Sequence, residues 1–356
     1  MNSSTFLSIA RARLFSRPVP VAVGFELTHL CNLNCSYCDR HERLQHEMSL
    51  PEIFVALEGL QAIGMKEISL DGGEALAHPR VHDIVRWLDA KHIIMRLNTN
   101  GVLARRKIDV IRRMQKLKIS LDGPREIHDS IRGRRSFDLA LDAAEVAKAL
   151  QVPVEFTCTV GRHNAHAIDE LLTIAENQRC KIIFQPVRPS LYQASDVRAD
   201  PWVLSPEEAR ATFGRIEAFK RAGRPVLNRW ASLRHFRTFP EPQSLPCAAG
   251  KINVTLDPEG NLYHCGQVNR DDKSNNVVRL GVRAAFERLT RVGCSQCWCA
   301  RVVEENYAWG GRFDWMLPPL RSLGSRTQDA RKDVPSRSNE RLDVPISALL
   351  PKKQGI

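Results

Sequence analysis

The chain has no run of eighteen apolar residues, so no membrane-spanning helix is expected. Its first twenty residues, MNSSTFLSIARARLFSRPVP, lack the continuous apolar core and the small-residue cleavage site of a secretory signal. No internal repeat is present. Acidic charge is in deficit: 40 Asp and Glu stand against 52 Lys and Arg, a formal net charge of +12. The arginines are spread along the chain rather than gathered in a stripe. That pattern fits a basic soluble enzyme better than a nucleic-acid binder. An anionic substrate, or peripheral contact with an acidic membrane surface, would also suit the charge. Ten cysteines without a secretory signal imply a reducing, cytoplasmic setting. They point to metal or redox use and away from a disulfide framework.

What is present is a regular alternation. Residues 21–28 (VAVGFELT), 66–73 (KEISLDGG), 92–101 (HIIMRLNTNG), 116–124 (KLKISLDGP), 152–160 (VPVEFTCTV) and 181–187 (KIIFQPV) read as strands. Between them, residues 51–64, 81–90, 102–114, 137–150 and 167–178 carry apolar side chains at helical spacing, with Pro51 suited to a first helical turn. Six strands alternating with helices make a parallel α/β unit, either a doubly wound sheet or a partial barrel. Both architectures place chemistry at the C-terminal ends of the strands. Farther on, residues 205–223 read as a helix capped by Ser205.

Cys31, Cys35 and Cys38 follow the first strand within eight residues, spaced C-x3-C-x2-C, with no glycine between them. Thiolates are soft ligands that suit zinc, copper(I) and iron–sulfur clusters. A structural zinc site closes with four ligands. Here only His41 or His46 lies near enough in sequence to supply a fourth. Three thiolates on a cubane 4Fe–4S cluster would leave one iron open, which a catalytic site needs and a structural site avoids. In this motif and its position, about residues 20–190 closely resemble the radical S-adenosylmethionine (SAM) superfamily.

The resemblance implies a partial (β/α)6 TIM-like barrel and a 4Fe–4S cluster held by Cys31, Cys35 and Cys38. It also implies SAM, chelated to the open iron through its amino and carboxylate groups. One electron, from a donor such as flavodoxin or ferredoxin, then cleaves the C5′–S bond. The resulting 5′-deoxyadenosyl radical abstracts hydrogen from the substrate; the cofactor carries the chemistry and the protein positions it. By the same resemblance Gly72, Gly73 and Glu74 bind the methionyl amine, and glycines there permit close backbone approach. Asn100 and Ser120, at the ends of the third and fourth strands, suit ribose hydroxyls and carboxylates. Arg132 is placed to grip the cofactor carboxylate with two bonds, with Arg134 and Arg135 as rivals. Tyr37 falls near adenine, or packs under its loop.

SLDGPREIHDSIRG is similar to the branch with a C-terminal iron–sulfur extension, called SPASM when long and twitch when short. Downstream, Cys247 and Cys265 flank a turn at Asp257–Gly260 between two short strands, and Cys294, Cys297 and Cys299 follow in CSQCWC. Four thiolates would suit zinc equally well by spacing alone. The resemblance favours one closed auxiliary 4Fe–4S cluster ligated by Cys247, Cys265, Cys294 and Cys297, in a twitch extension of β-hairpin plus helix. A closed cluster moves electrons and cannot bind substrate directly. Cys299 departs from the pattern. Cys158 and Cys180, in or beside apolar strands, read as buried small hydrophobes.

The expected organisation is a segment 1–20, a core 21–190, a linker with a helix 191–246, an auxiliary-cluster unit 247–317 and a tail 318–356. The tail is rich in Arg, Ser, Asp and Pro and reads as disordered. Phe6, Leu7, Ile9, Leu14 and Phe15, with Arg11, Arg13 and Arg17, could form a short amphipathic helix on a membrane surface or cap the barrel. The first reading of function is radical oxidation, or a related C–H transformation, of a small molecule. A ribosomal-peptide maturase and a lipid-modifying enzyme are the alternatives, and a zinc-held nucleic-acid binder the remote one. Gln185 and Arg188, at the sixth strand end, are the candidates for contact with substrate.

Overall fold

The computed structural model describes residues 18–38, 46–188, 200–242, 245, 247–266, 272–289, 294 and 297–309. The amphipathic stretch from Phe6 to Arg17, His41 and the tail 318–356 lie outside the described residues.

All six expected strands form: β1 Ala22–Glu26, β2 Glu67–Asp71, β3 Ile94–Thr99, β4 Lys116–Ser120, β5 Val154–Val160 and β6 Lys181–Pro186. They pair in parallel, in sequence order. The barrel is partial, as expected, but its sheet is longer than six strands. β7 (Asn253–Leu256) adds in parallel to the free edge of β1, with Ala22 opposite Asn253, and β8 (Leu262–Tyr263) turns back against it. The downstream hairpin is therefore continuous with the barrel sheet. Asp257 shapes its turn by accepting from the Glu259 and Asn261 amides and from Asn261 Nδ2.

Period-two alternation sorts the strand side chains onto two faces. The outer face is apolar: Ile68, Leu70, Met95, Leu97, Leu117, Ile119 and Phe156 are fully buried. Each such side chain contributes about 1.5–3 kcal/mol by leaving water. The helices that cover them are α1 Leu50–Ala62, α2 Val81–Ala90, α3 Ile108–Ile111, α4 Arg125–Arg132, α5 Ser136–Ala149 and α6 Ile168–Asn177. α1 begins on a capping box of Ser49 and Glu52 with Pro51 in its first turn, as its sequence announces. Cys158 and Cys180 join this core. The inner face is polar, lined by Glu67, Asp71, Arg96, Asn98, Lys118 and Glu155 among others.

Two helical expectations change. Residues 102–114 give only a 3-10 turn (Ala104–Lys107) and the single turn of α3. Arg105, Arg106, Lys107, Arg112 and Arg113 crowd like charge there, and Arg105 turns instead to Asp142 on α5. Conversely, α4 forms where the pattern of strands and helices read from the sequence has no element. It starts after Pro124 and stops at Gly133, whose φ of 109° no ordinary residue adopts readily.

α7 (Pro206–Arg221) forms under its Ser205 cap, and α8 (Trp230–Phe236) follows it. α11 (Ala300–Trp309), reached after α9 (Val277–Leu280) and α10 (Val282–Glu287), bridges the barrel's open side between β6 and β7. The Ala300 amide donates to Gln185 Oε1 at the tip of β6 (3.1 Å), and Asn253 Nδ2 of β7 donates to Glu305 (2.6 Å). Arg229 grips Glu304 at 2.7 Å. Buried Asn306 accepts from the Ala248 amide at 2.9 Å and donates to Cys297 Sγ at 3.6 Å. No helix among the described residues is long and apolar enough to cross a membrane. Replacing Asn306 by Ala strands the buried Ala248 amide. Urea unfolding of Asn306→Ala should give a stability lower by about 1–3 kcal/mol, and an unchanged midpoint would show that the amide finds another partner.

Candidate functional site

A cavity of about 330 Å³ opens at the C-terminal ends of the strands, and Cys31, Cys35 and Cys38 all lie on its wall. Their loop has little regular structure of its own, so its position comes from partners at the ends of β2 and β3, before α1 and on α4. The Gly73 amide donates to Thr28 O and the Glu74 amide to Leu30 O, both at 2.8 Å. The backbones are so close that a Cβ on Gly73 would sit 2.3 Å from Leu30 O, and one on Gly72 2.5 Å from Thr28 O. Both glycines are thus required by the cysteine loop itself. Glu47 anchors the loop's start, accepting from Thr28 Oγ1 (2.8 Å) and the His29 amide (2.6 Å). Asn100 Nδ2 donates to Asn32 at 2.9 Å, and the Ser36 amide donates to Ile131 O on α4 at 3.0 Å.

The carboxylate of Glu74 is buried behind the cavity wall and is not among its lining residues. It accepts from Thr99 Oγ1 (2.9 Å) and from the amides of Asn100 (2.8 Å) and Leu76 (3.1 Å), and so ties the end of β2 to the end of β3. Burial raises its pKa against those hydrogen bonds. Gly72, Gly73, Asn100, Ser120, Tyr37, Arg132, Gln185 and Arg188 do reach the cavity wall with the three thiols.

Arg132 has partners in place. Its Nε donates to Asp122 Oδ2 at 2.6 Å, one terminal nitrogen donates to Tyr37 Oη at 2.6 Å, and the other lies 3.8 Å from Cys35 Sγ. Tyr37 Oη in turn donates to Asp122 at 2.8 Å. Burial pushes the Asp122 carboxyl up most, but Arg132, His128 and the Thr159 amide together hold the group below its ordinary value. This buried triad pins the loop from below. Tyr37 also stacks on His163, with centroids 6.2 Å apart.

Three thiols facing one cavity beside a fixed cation suit a cluster that needs thiolates. Burial raises Cys35 to about 11, so the thiolate needs a metal or a cation to form at neutral pH. Among the described residues no three of His, Cys, Asp and Glu converge on one point as ligands of a single ion do. Thiolates that each take a different iron of a cubane need no such convergence.

The downstream segment reaches the cavity wall at Gly266 and Cys299. Burial raises the Cys297 thiol, and Cys265, Cys299, Cys247 and Cys294 add to the shift, so the other four lie within electrostatic reach of Cys297. The segment is braced by His235, whose Nε2 lies 2.6 Å from Cys297 O and whose ring stacks on Trp298 at 4.7 Å. Of the five, Cys299 alone lines the main cavity, beside Ala300 and Arg301. A donor set of this size fits a closed cluster and leaves Cys299 facing the cavity.

Sequence reasoning missed Glu47, His128, Lys118 and Arg301. Glu47 and Arg301 carry no local signal. Lys118 does: a lysine at the centre of KLKIS, on a strand whose alternate residues are apolar, marks a polar inner face. His128 is fully buried, and its Nδ1 accepts from the Asp122 amide at 3.0 Å. Burial, then Arg132, depresses it to about 4. A depressed base favours the native state above its unfolded pKa of about 6.5, and that benefit is lost as pH falls to about 4, up to about 3 kcal/mol. The stability advantage of the natural chain over His128→Gln should therefore shrink between about pH 7.5 and about pH 4.5. Chemical unfolding at both values reads it, and parallel losses in the two proteins would mean His128 is not the titrating group.

Residues 25–175 match the family model described as the radical SAM superfamily. The mycofactocin maturase MftC of Mycobacterium tuberculosis (strain CDC 1551 / Oshkosh) is 28% identical over 259 residues, 69% of this chain and 64% of that protein. The antilisterial bacteriocin subtilosin biosynthesis protein AlbA of Bacillus subtilis (strain 168) is 32% identical over 277 residues, 76% of this chain and 60% of that protein. The chain thus spans less than two thirds of the length of these relatives. Among solved structures, anSMEcpe with bound AdoMet and Cp18Cys peptide superposes with TM-score 0.60 at 20% identity, covering 75% of this chain and 80% of that one. SuiB of Streptococcus suis bound to precursor peptide SuiA gives 0.56 at 11%, covering 85% and 69%. At these identities the two structures establish a shared fold.

Proposed function

We propose, from the premise that the chain belongs to the radical SAM superfamily, that it is a cytoplasmic enzyme that uses a substrate-side hydrogen abstraction to modify a peptide. The observation that carries the catalytic reading is the C-x3-C-x2-C loop locked against Gly72–Glu74, with its three thiols on one cavity wall. Bound SAM and a 4Fe–4S cluster would supply a 5′-deoxyadenosyl radical there. The chain's own residues hold and screen that site. Cys31, Cys35 and Cys38 would ligate the cluster. Gly72 and Gly73 keep the approach to it open. Arg132, held by Asp122, offers positive charge next to Cys35. Asn100 and Ser120 present polar groups at the strand ends, and Tyr37 forms part of the floor under the loop.

The peptide reading rests on the relatives named for maturation of mycofactocin and subtilosin. A small-molecule substrate is the second reading, favoured by a cavity of about 330 Å³, which falls in the ordinary range for small-molecule sites. We assign a closed auxiliary cluster to Cys247, Cys265, Cys294 and Cys297, with electrons delivered by a donor such as flavodoxin or ferredoxin. Gln185 both borders the cavity and latches α11, so it acts on substrate position through the Ala300 contact.

Anaerobic reconstitution with iron and sulfide tests the reading. The chain should bind about eight irons and form 5′-deoxyadenosine from SAM under dithionite. The Cys31→Ala/Cys35→Ala/Cys38→Ala variant should retain about half the iron and form none. A colourless protein that takes up zinc, or a variant that keeps its cleavage activity, would refute it.

A further inference from the structure

Most charged side chains on the inner face of the barrel are matched. Arg96 holds Glu67 with two bonds of 2.8 and 3.2 Å, Lys116 pairs with Glu155, and Asn98 donates to Asp71. Higher up, Arg132 is held by Asp122. Lys118 and Arg301 are different. Both line the cavity, and among the described residues neither makes a hydrogen bond or an ion pair. Their donor atoms are not sealed in protein, so they end in the cavity.

The two cations come from opposite sides of the chamber. Lys118 sits at the centre of β4, opposite Asn98 and Glu155 in the register. Arg301 enters from the first turn of α11 and lies against the backbone of β1, where a Cβ on Gly24 would sit 2.7 Å from a guanidinium nitrogen. That glycine makes room for the guanidinium. Glu155 acts first on Lys118, then Arg301 and Asp71; Glu305 acts first on Arg301, then Asp71, Cys299 and Cys265, and these anions raise its pKa against burial. Glu155 already serves Lys116, and Glu305 accepts from Asn253. None of these carboxylates makes a hydrogen bond or an ion pair with either cation among the described residues. Burial lowers the Lys118 pKa, as it does for an ammonium that lacks a partner.

We propose that Lys118 and Arg301 form a carboxylate receptor at the floor of the cavity, and that the substrate carries a carboxylate bound there. An ammonium and a guanidinium approaching one anion from two sides give charge-assisted bonds that fix both its place and its orientation. The receptor lies along the strands below the cysteine loop, so a substrate anchored by its carboxylate presents its neighbouring carbons toward the three thiols. A peptide C-terminus, an acidic side chain or a small carboxylic acid shares this chemistry. The proposal rests on the reading of the cavity as a substrate chamber.

The rival source of a carboxylate is SAM itself. The full chain, reconstituted with iron and sulfide, is titrated with 4-fluorobenzoate and with 4-fluorobenzamide and followed by fluorine NMR line width, with and without saturating SAM. The acid should bind and the amide should not, and SAM should leave acid binding in place. Lys118→Met and Arg301→Met should each weaken binding tenfold or more, whereas Lys118→Arg should keep it within about threefold, because the charge is retained. Thermal unfolding checks that each variant is folded. If Lys118→Met does not fold, Arg301→Met and Lys118→Arg decide. Equal binding of acid and amide, displacement of the acid by SAM, or wild-type affinity in Arg301→Met would overturn the proposal. Failure of the wild-type chain to form 5′-deoxyadenosine would instead count against the proposed function, since fluorobenzoate binding does not depend on that reaction.

Discussion

The site depends on one backbone contact: the loop after β1 lies directly on the turn after β2. Two amides, of Gly73 and Glu74, donate across that contact to Thr28 O and Leu30 O. A loop with three potential metal ligands cannot bury its thiols for their own sake, because a cysteine at this depth resists ionising. Its shape must be set from outside. The hydrogen bonds supply that shape, and they form only because neither glycine has a side chain to hold the two backbones apart. Glu74 then carries the restraint one strand farther, since its carboxylate closes on Thr99 and on the Asn100 amide. The ends of β1, β2 and β3 become one rigid unit with the cysteines on its surface.

A second restraint comes from β4 and α4. Asp122, Arg132 and Tyr37 form a buried ion pair with a shared phenol, and such a group is costly unless every polar atom is satisfied. Here the satisfaction is reciprocal: the phenol donates to the carboxylate and accepts from the guanidinium. The network adds geometric definition more than net stability. The guanidinium cannot swing freely toward a ligand, because its Nε is held by Asp122, yet a terminal nitrogen still lies beside Cys35. A fixed charge of this kind needs no reorganisation when a negatively charged group enters the cavity.

The alternation of strands and helices was legible because parallel strands covered by helices leave apolar runs at strand length, and all six occur where the hydrophobic pattern puts them. The motif C-x3-C-x2-C and the turn at Gly72–Gly73 were legible for the same local reason: each is a short run of residue types with few alternative uses. What stayed hidden was non-local. The joining of β7 to β1 depends on an exposed sheet edge that no short window reveals. α4 was hidden because REIHDSIR has a polar composition with just His128 and Ile131 buried, too few to set a helical period. Arg301 could not be assigned to the cavity before α11 was known to cross the open side of the barrel.

That crossing gives the two cysteine groups a common physical basis. A six-stranded partial barrel leaves its inner polar face open to water between β6 and the edge beyond β1. Matched charges such as Arg96–Glu67 tolerate water, but the radical chemistry proposed for this cavity would not, since stray solvent contact allows side reactions. The chain closes the gap with the segment running from Cys297 through α11. Gln185 fixes one end of that segment, Asn253 and Glu305 fix the other, and His235 and Trp298 brace it from outside. The closure brings Cys299 and Arg301 into the chamber as a direct result of its path. Cys299 thus lines the cavity just ahead of the helix that closes it, and Arg301 lines it from that helix's first turn.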